Sequence, residues 1–112
     1  MTAAQLKLKH IYLNKHIFYG LKKNPDVETS SMVTFDEADF SIVLERVHSN
    51  RIGIYGIEVS LDGQYYGIKT HEEYSTFPQD QEWITAAFEY FKSLNLNLRY
   101  SASYYVGGNL FN

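Results

Sequence analysis

Cysteine is absent from this chain of 112 residues. That absence excludes a disulfide framework, a thiol nucleophile and a cysteine-based zinc site, and it fits the reducing cytoplasm, where we expect the protein to be located. Long apolar runs are absent too. No stretch approaches the roughly 18 residues that a membrane-spanning helix needs, and lysines and histidines interrupt the N-terminal apolar residues, so we predict neither a membrane span nor a signal peptide.

Motifs of enzymes and cofactor-binding proteins are also missing. The sequence contains no G-x-S-x-G, Walker, Rossmann or zinc motif. His71 and Glu73 could share one side of a strand, but two side chains do not make a metal site. The glycine pairs in GIYGI and YVGGN lack the strand–loop–helix context of phosphate binding. We therefore predict no enzyme activity, no catalytic residues, no metal site and no cofactor.

Positive charge is scarce outside the N-terminal segment. The first 23 residues contain five lysines and no acid, whereas acids prevail over 26–45 and 72–89 and the net charge is −3. An acidic balance gives no bulk attraction to nucleic acid, and QYYGIKT lacks the RNA-recognition-motif signature. We therefore do not expect a nucleic-acid partner.

Apolar and aromatic residues, by contrast, are plentiful. Apolar residues make up 45% of the chain, and ten of its residues are tyrosines. This composition supports a packed core, and the length supports one domain. We predict a single α+β domain over residues 1–112, with a loop at 22–33 and a loose tail at 107–112.

Two helices are predicted from apolar spacing. The first carries Phe40, Val43, Leu44 and Val47 at i, i+3, i+4 and i+7. Its predicted start is the capping-box spacing between Thr34 and Glu37, and its end is near Asn50. The second runs from Asp80 to Leu94 and has an apolar face of Ile84, Ala87, Phe88 and Phe91.

Three strands are predicted as well. Asp62-Gly63 is a strong hairpin signal, and pairing across it places Val59 opposite Tyr66 and Ile57 opposite Ile68. The last strand alternates from Leu96 to Val106. The N-terminal segment 5–21 leaves two interpretations open. Its alternation favours a hairpin turning at Asn14-Lys15, or one bent strand, whereas Thr2 and Gln5 have the spacing of a helix capping box.

The order of these elements resembles the ferredoxin-like βαββαβ pattern, with or without an extra N-terminal strand or hairpin. That resemblance implies two helices on one face of a mainly antiparallel sheet. We expect a core of helix residues packed against strand residues, namely Phe40, Val43, Leu44, Val47, Ile84, Ala87, Phe88 and Phe91 against Ile57, Val59, Ile68 and Leu98.

The other sheet face would then be open, and its residues suit contact better than catalysis. Tyrosine and arginine are favoured in protein contacts, so we predict a partner-binding site of Tyr65, Lys69, His71, Arg99, Tyr105 and Glu58. Gly56 and Gly67 lie on this predicted face, either because of a bulge or because a ligand approaches closely. An alternative contact surface is the acidic set Asp36, Glu37, Asp39, Glu72 and Glu73.

These features lead to a hypothesis about function. We expect a small protein-binding inhibitor, in its most concrete form a bacterial immunity or antitoxin-type protein that neutralises a toxin or nuclease by direct binding. The alternatives are a phage-type inhibitor of a host protein and a small ligand- or RNA-binding domain.

Overall fold

Three α-helices and a three-stranded sheet account for most of the residues that the computed structural model describes, which are 2–22, 24–25 and 33–107. The helices are α1 (Ala3–His16), α2 (Glu37–Ser49) and α3 (Gln81–Ser93), and a short 3-10 helix spans His71–Tyr74. The strands are β1 (Asn24–Pro25), β2 (Val33–Thr34), β3 (Gly53–Leu61), β4 (Gln64–Thr70) and β5 (Arg99–Tyr105). Most of the predicted loop at 22–33 and of the predicted tail at 107–112 lies outside the described residues.

The main sheet is antiparallel, with the strand order β4-β3-β5. β1 and β2 form a separate short pair, and an antiparallel bridge between Phe35 and Tyr100 places the chain after β2 alongside β5. The α+β class is confirmed. The ferredoxin-like arrangement is not confirmed, because the strand order and the strand count differ from that pattern.

Helices α2 and α3 form close to where their apolar spacing predicts them. Asp80 caps α3, and Leu94 ends it. The predicted start of α2 is wrong in one detail: Asp36 is the cap, and its side chain accepts a hydrogen bond from the backbone N–H of Asp39 at 2.8 Å. Thr34 instead belongs to β2, where its backbone is extended.

Both helices bury their apolar faces on the same side of the sheet. The ring of Tyr100 on β5 stacks on Phe40 of α2 at 5.2 Å and meets Phe88 of α3 edge-on at 5.3 Å. Most of the predicted core is confirmed as buried, while Leu44 is only partly buried. Ile68 was predicted in this core, but its side chain is 43% exposed.

The N-terminal segment is a helix, so the predicted hairpin at Asn14-Lys15 is wrong. Thr2 and Gln5 form the capping box: the N–H of Gln5 donates to the hydroxyl of Thr2 at 3.1 Å, and the Gln5 side chain accepts from the N–H of Thr2 at 2.9 Å. The apolar pattern misleads because only the end of the segment is packed. Leu13 is the one buried residue of α1, followed by Ile17 and Phe18, and Tyr12 is partly buried, whereas Leu6, Leu8 and Ile11 are exposed and follow no helical period.

The β3–β4 hairpin turns where predicted but has a different register. Asp62 and Gly63 both have positive φ, 52° and 80°, as a two-residue type I′ turn requires. A bulge between Val59 and Ser60 then shifts the pairing by one residue. Ile57 lies opposite Lys69 and Val59 opposite Gly67, not opposite Ile68 and Tyr66. Because side chains alternate along a strand, this shift exchanges the two faces of β4.

Candidate functional site

One face of the main sheet carries no helix among the residues that the structure describes. Tyr104 lies on the same side of β5 as Tyr100, and its ring meets that of Phe18, just beyond α1, at 5.5 Å. All three helices therefore lie on the side of Tyr100. We call the opposite side the open face. The register places on it Gly56, Glu58, Ser60, Tyr65, Ile68, Thr70, Arg99, Ser101, Ser103 and Tyr105, and Tyr55 joins them.

Tyr55 reaches the open face through a second bulge. The pairing of β3 with β5 shifts between Ile54 and Gly56, which leaves Tyr55 unpaired. Its ring packs edge-on against Tyr105 at 5.8 Å and lies 6.1 Å from the ring of His71. The side chain of Tyr55 is nevertheless 41% exposed. These three residues form an aromatic corner at one end of the open face.

The geometry of His71 is fixed by the chain that follows it. Its Nδ1 lies 2.7 Å from the carbonyl oxygen of Thr76. A carbonyl only accepts hydrogen bonds, so Nδ1 carries the proton and Nε2 is left as the acceptor of the neutral ring. His71 is half-buried beside Trp83 of α3, with ring centroids 6.4 Å apart. These two contacts fix the orientation of the ring.

Tyr65 and Arg99 lie at the other end of the open face, each opposite Ser60 of β3. Tyr65 is the most exposed large apolar side chain described, at 65%. Arg99 is half-buried, and its Nη2 donates to the carbonyl oxygen of Thr34 at 3.1 Å. Arg99 therefore holds β2 beside β5, and only part of its surface remains available for contact. Tyr65, in contrast, is exposed to solvent.

The glycines of the hairpin are explained by packing within the sheet. A Cβ at Gly56 would lie 3.5 Å from Ile68 Cδ1 and 3.5 Å from Thr70 Cγ2, so neighbouring side chains already cover this position. Gly67 lies on the helix side, where a Cβ would be 3.7 Å from the ring of Phe91. Since both glycines stand close to bulges, the bulge interpretation fits them better than a ligand approaching a bare floor.

Lys69 does not lie on the open face. Its register partner is Ile57, and its Nζ lies 4.6 Å from the ring centroid of Tyr90 on α3 and 3.4 Å from Glu73. Glu58, by contrast, is on the open face as predicted, opposite Ile68 and Ser101. The predicted diagonal pairing of Glu58 with Lys69 is therefore wrong. The open face keeps one acid, Glu58, and one strong base, Arg99, so its formal charge is balanced.

The alternative acidic set is divided between two places. Asp36, Glu37 and Asp39 lie at the start of α2, while Glu72 and Glu73 lie in the 3-10 helix that follows β4. The end of α2 leads directly into β3, and the start of β3 is also where β4 ends. A helix of 13 residues is about 20 Å long, so the two groups lie near opposite ends of the sheet and form no single patch.

Three of these acids also have structural roles. Asp36 caps α2, and Asp39 accepts a hydrogen bond from the backbone N–H of Lys22 at 3.4 Å. Glu73 forms a capping box with Thr70. The backbone N–H of Thr70 donates to the Glu73 carboxylate, and the backbone N–H of Glu73 donates to the Thr70 hydroxyl, each at 3.3 Å. Glu37 and Glu72 are exposed, and their side chains form no hydrogen bond or ion pair with the residues that the structure describes.

Metal ligands do not gather in the described part of the chain, where no three histidine, aspartate or glutamate side chains come together. Nor does any helix among those residues have the length and apolar character needed to cross a membrane. No family model, no curated protein and no solved structure matches this chain. Inference about its function therefore rests on the chemistry of its surface.

Three contributors to the open face were not predicted from the sequence. Tyr55 was missed because the bulge at that residue changes the alternation of β3, and Ile68 and Thr70 were missed because the bulge at Tyr66 changes that of β4. A usable signal exists in each case: both bulges lie next to a tyrosine–glycine pair, Tyr55-Gly56 and Tyr66-Gly67. Glycine inside a strand is a known mark of a bulge.

Proposed function

We propose that this chain is a small protein-binding inhibitor of the immunity or antitoxin type, which blocks a partner protein by covering it with the open face. The observation that carries the proposal is an uncovered sheet face with exposed apolar anchors: Tyr55 and Ile68 are 41% and 43% exposed, and Tyr65 is 65% exposed. Tyrosine combines a large contact area with a hydrogen-bonding tip, and it is enriched among the residues that dominate binding energy.

The balanced charge of the open face indicates the kind of partner surface. With Glu58 and Arg99 as its two strong charges, the face offers little long-range attraction to a highly basic protein. A toxin surface of mixed polarity fits it better, with the tyrosine rings as anchors and the exposed Ser103 of β5 as a polar contact. An inhibitor of this kind would meet its toxin in the cytoplasm.

The experiment has two stages. The purified chain is immobilised, the proteins it retains from a lysate of the source organism are identified, and the strongest candidate is expressed with and without the chain. The proposal expects the candidate to arrest growth and the chain to relieve the arrest. A retained protein that is not toxic but loses its own activity would favour a general inhibitor such as the phage type, and retention of RNA alone would contradict protein inhibition.

A matched pair of variants tests whether the open face is responsible. Tyr55→Ala/Tyr65→Ala removes two exposed tyrosines from the open face. Tyr19→Ala/Tyr90→Ala removes two tyrosines that are 56% and 46% exposed elsewhere. Relief of growth arrest should be lost in the first variant and kept in the second, provided that both keep the circular dichroism spectrum of the parent. The reverse result would move the site away from the open face.

A further inference from the structure

A cleft separates the inner side of α1 from the end of β5, on the helix side of the sheet. Its volume is about 280 Å³. Lys9 and His10 of α1 contribute polar groups, while Leu13, Phe18 and Ala102 contribute apolar surface, and Tyr104 of β5 forms part of the wall. We call this space the α1–β5 cleft.

We propose that the α1–β5 cleft binds a small amphipathic carboxylate, a monoanion with a short apolar body. The cleft shares only Ser103 with the open face and none of its exposed tyrosines, so the inference does not depend on the proposed function. The cleft combines a cationic side with an apolar wall, which is the arrangement that a carboxylate attached to one ring or a short chain requires. Small-molecule sites start at about 300 Å³, so the cleft suits a ligand of that modest size.

The charges around the cleft favour an anion. Lys9 and His10 line it, and none of its described lining residues is an acid. The whole N-terminal segment from residue 2 to residue 22 also lacks acids, so no carboxylate of α1 competes for Lys9. Partial burial lowers the pKa of the Lys9 ammonium through desolvation. A bound carboxylate would offset that loss of hydration and favour the charged form of Lys9.

Tyr104 supplies a second observation that points to a ligand. Its side chain is 6% exposed, and its hydroxyl is buried with no hydrogen-bond partner among the residues that the structure describes. Buried hydroxyls of folded proteins nearly always have a partner, because an unpaired one costs free energy. A ligand oxygen that reaches the wall formed by Tyr104 could accept a hydrogen bond from this hydroxyl. Tyr104 and Lys9 thus line the same cleft.

The test uses 3-phenylpropionate as the probe and 3-phenylpropylamine as a cation of matched size, each titrated into the full chain and followed by calorimetry and by amide chemical shifts. We expect saturable binding of the carboxylate, with the amine at least about tenfold weaker, a difference of 1.4 kcal/mol. Shifts should concentrate on α1 and β5. Equal binding of the two probes, or no saturation by the carboxylate up to about 10 mM, would overturn the proposal.

Three variants locate the site. Lys9→Gln removes the lining charge, and Lys7→Gln is its control, because Lys7 is an exposed residue of the same helix that does not line the cleft. We expect affinity for 3-phenylpropionate to fall at least about fivefold in the first and less than about twofold in the second. Ala102→Val, which reduces the space, should also weaken binding. Equal affinities in Lys9→Gln and Lys7→Gln would refute the assignment of the cation, and full affinity in Ala102→Val would refute the location.

Discussion

Phe40 connects both predicted helices to the sheet, and its replacement by leucine tests that packing. The ring is fully buried, stacks on Tyr100 at 5.2 Å and meets Phe88 edge-on at 5.7 Å. Each aromatic pair contributes about 0.5–1.5 kcal/mol beyond the area it buries. Leucine keeps most of the apolar surface but loses both ring contacts, so Phe40→Leu should lower the free energy of unfolding by about 1–3 kcal/mol.

The leucine variant is preferable to alanine because a buried Phe→Ala change costs about 3–5 kcal/mol, which approaches the whole stability of many domains. Urea unfolding followed by circular dichroism gives the difference, provided that the slope of free energy against urea is unchanged. Phe77→Leu is the control: its ring is 61% exposed, and its loss should stay within about 0.5 kcal/mol. Equal losses in the two variants would mean that Phe40 is not the contact between α2, α3 and β5.

Three further predictions concern packing, register and ionisation. Gly53→Ala should destabilise the fold measurably in urea, because a Cβ there would lie 2.8 Å from Pro78 Cβ and 2.9 Å from its backbone carbon; unchanged stability would contradict this close approach. A double-mutant cycle on Lys69 and Tyr90, whose Nζ and ring centroid are 4.6 Å apart, should give a coupling of about 0.5–1 kcal/mol, and none if Lys69 lay on the open face. Burial, with a smaller effect of Glu37, raises the pKa of Tyr100 to about 12. Because its folded pKa is raised, the stability that Tyr100 contributes is present below about pH 10 and is lost as the pH rises towards 12. In a pH titration, tyrosinate absorbance should therefore show a tyrosine that ionises well above pH 10, together with unfolding. Complete ionisation of the tyrosines near pH 10 in the folded state would refute this.

The helices that could be predicted are those whose apolar residues face one core. α2 and α3 pack along their length against β3 and β5, so the spacing of Phe40, Val43 and Val47 reports the buried face directly. α1 packs only near its end. Leu6 and Leu8 are each 45% exposed, so their spacing does not have to follow a buried helix face. Its capping box was the more reliable signal because it reflects local hydrogen bonding, which needs no tertiary partner.

The candidate site could be predicted only in part, since a strand's faces depend on register. Tyr65, Glu58, Arg99 and Tyr105 lie on the open face as predicted, but Lys69 exchanged faces with Ile68. One extra residue at a bulge is enough to move every side chain beyond it to the opposite face of the sheet. The sequence contains the glycine beside each bulge but does not specify which residue of the strand stays unpaired.

The central claim is that the open face binds a partner protein, and the dissociation constant of the purified complex at low and high salt tests it most directly. We expect Tyr55→Ala/Tyr65→Ala to weaken binding at least about tenfold, equivalent to 1.4 kcal/mol, with little dependence on salt. Glu72→Lys, which reverses an exposed charge outside the open face, should change the constant less than about twofold. Unchanged binding in the tyrosine variant, together with a salt-sensitive loss in Glu72→Lys, would contradict the claim and place the contact on the acidic 3-10 helix.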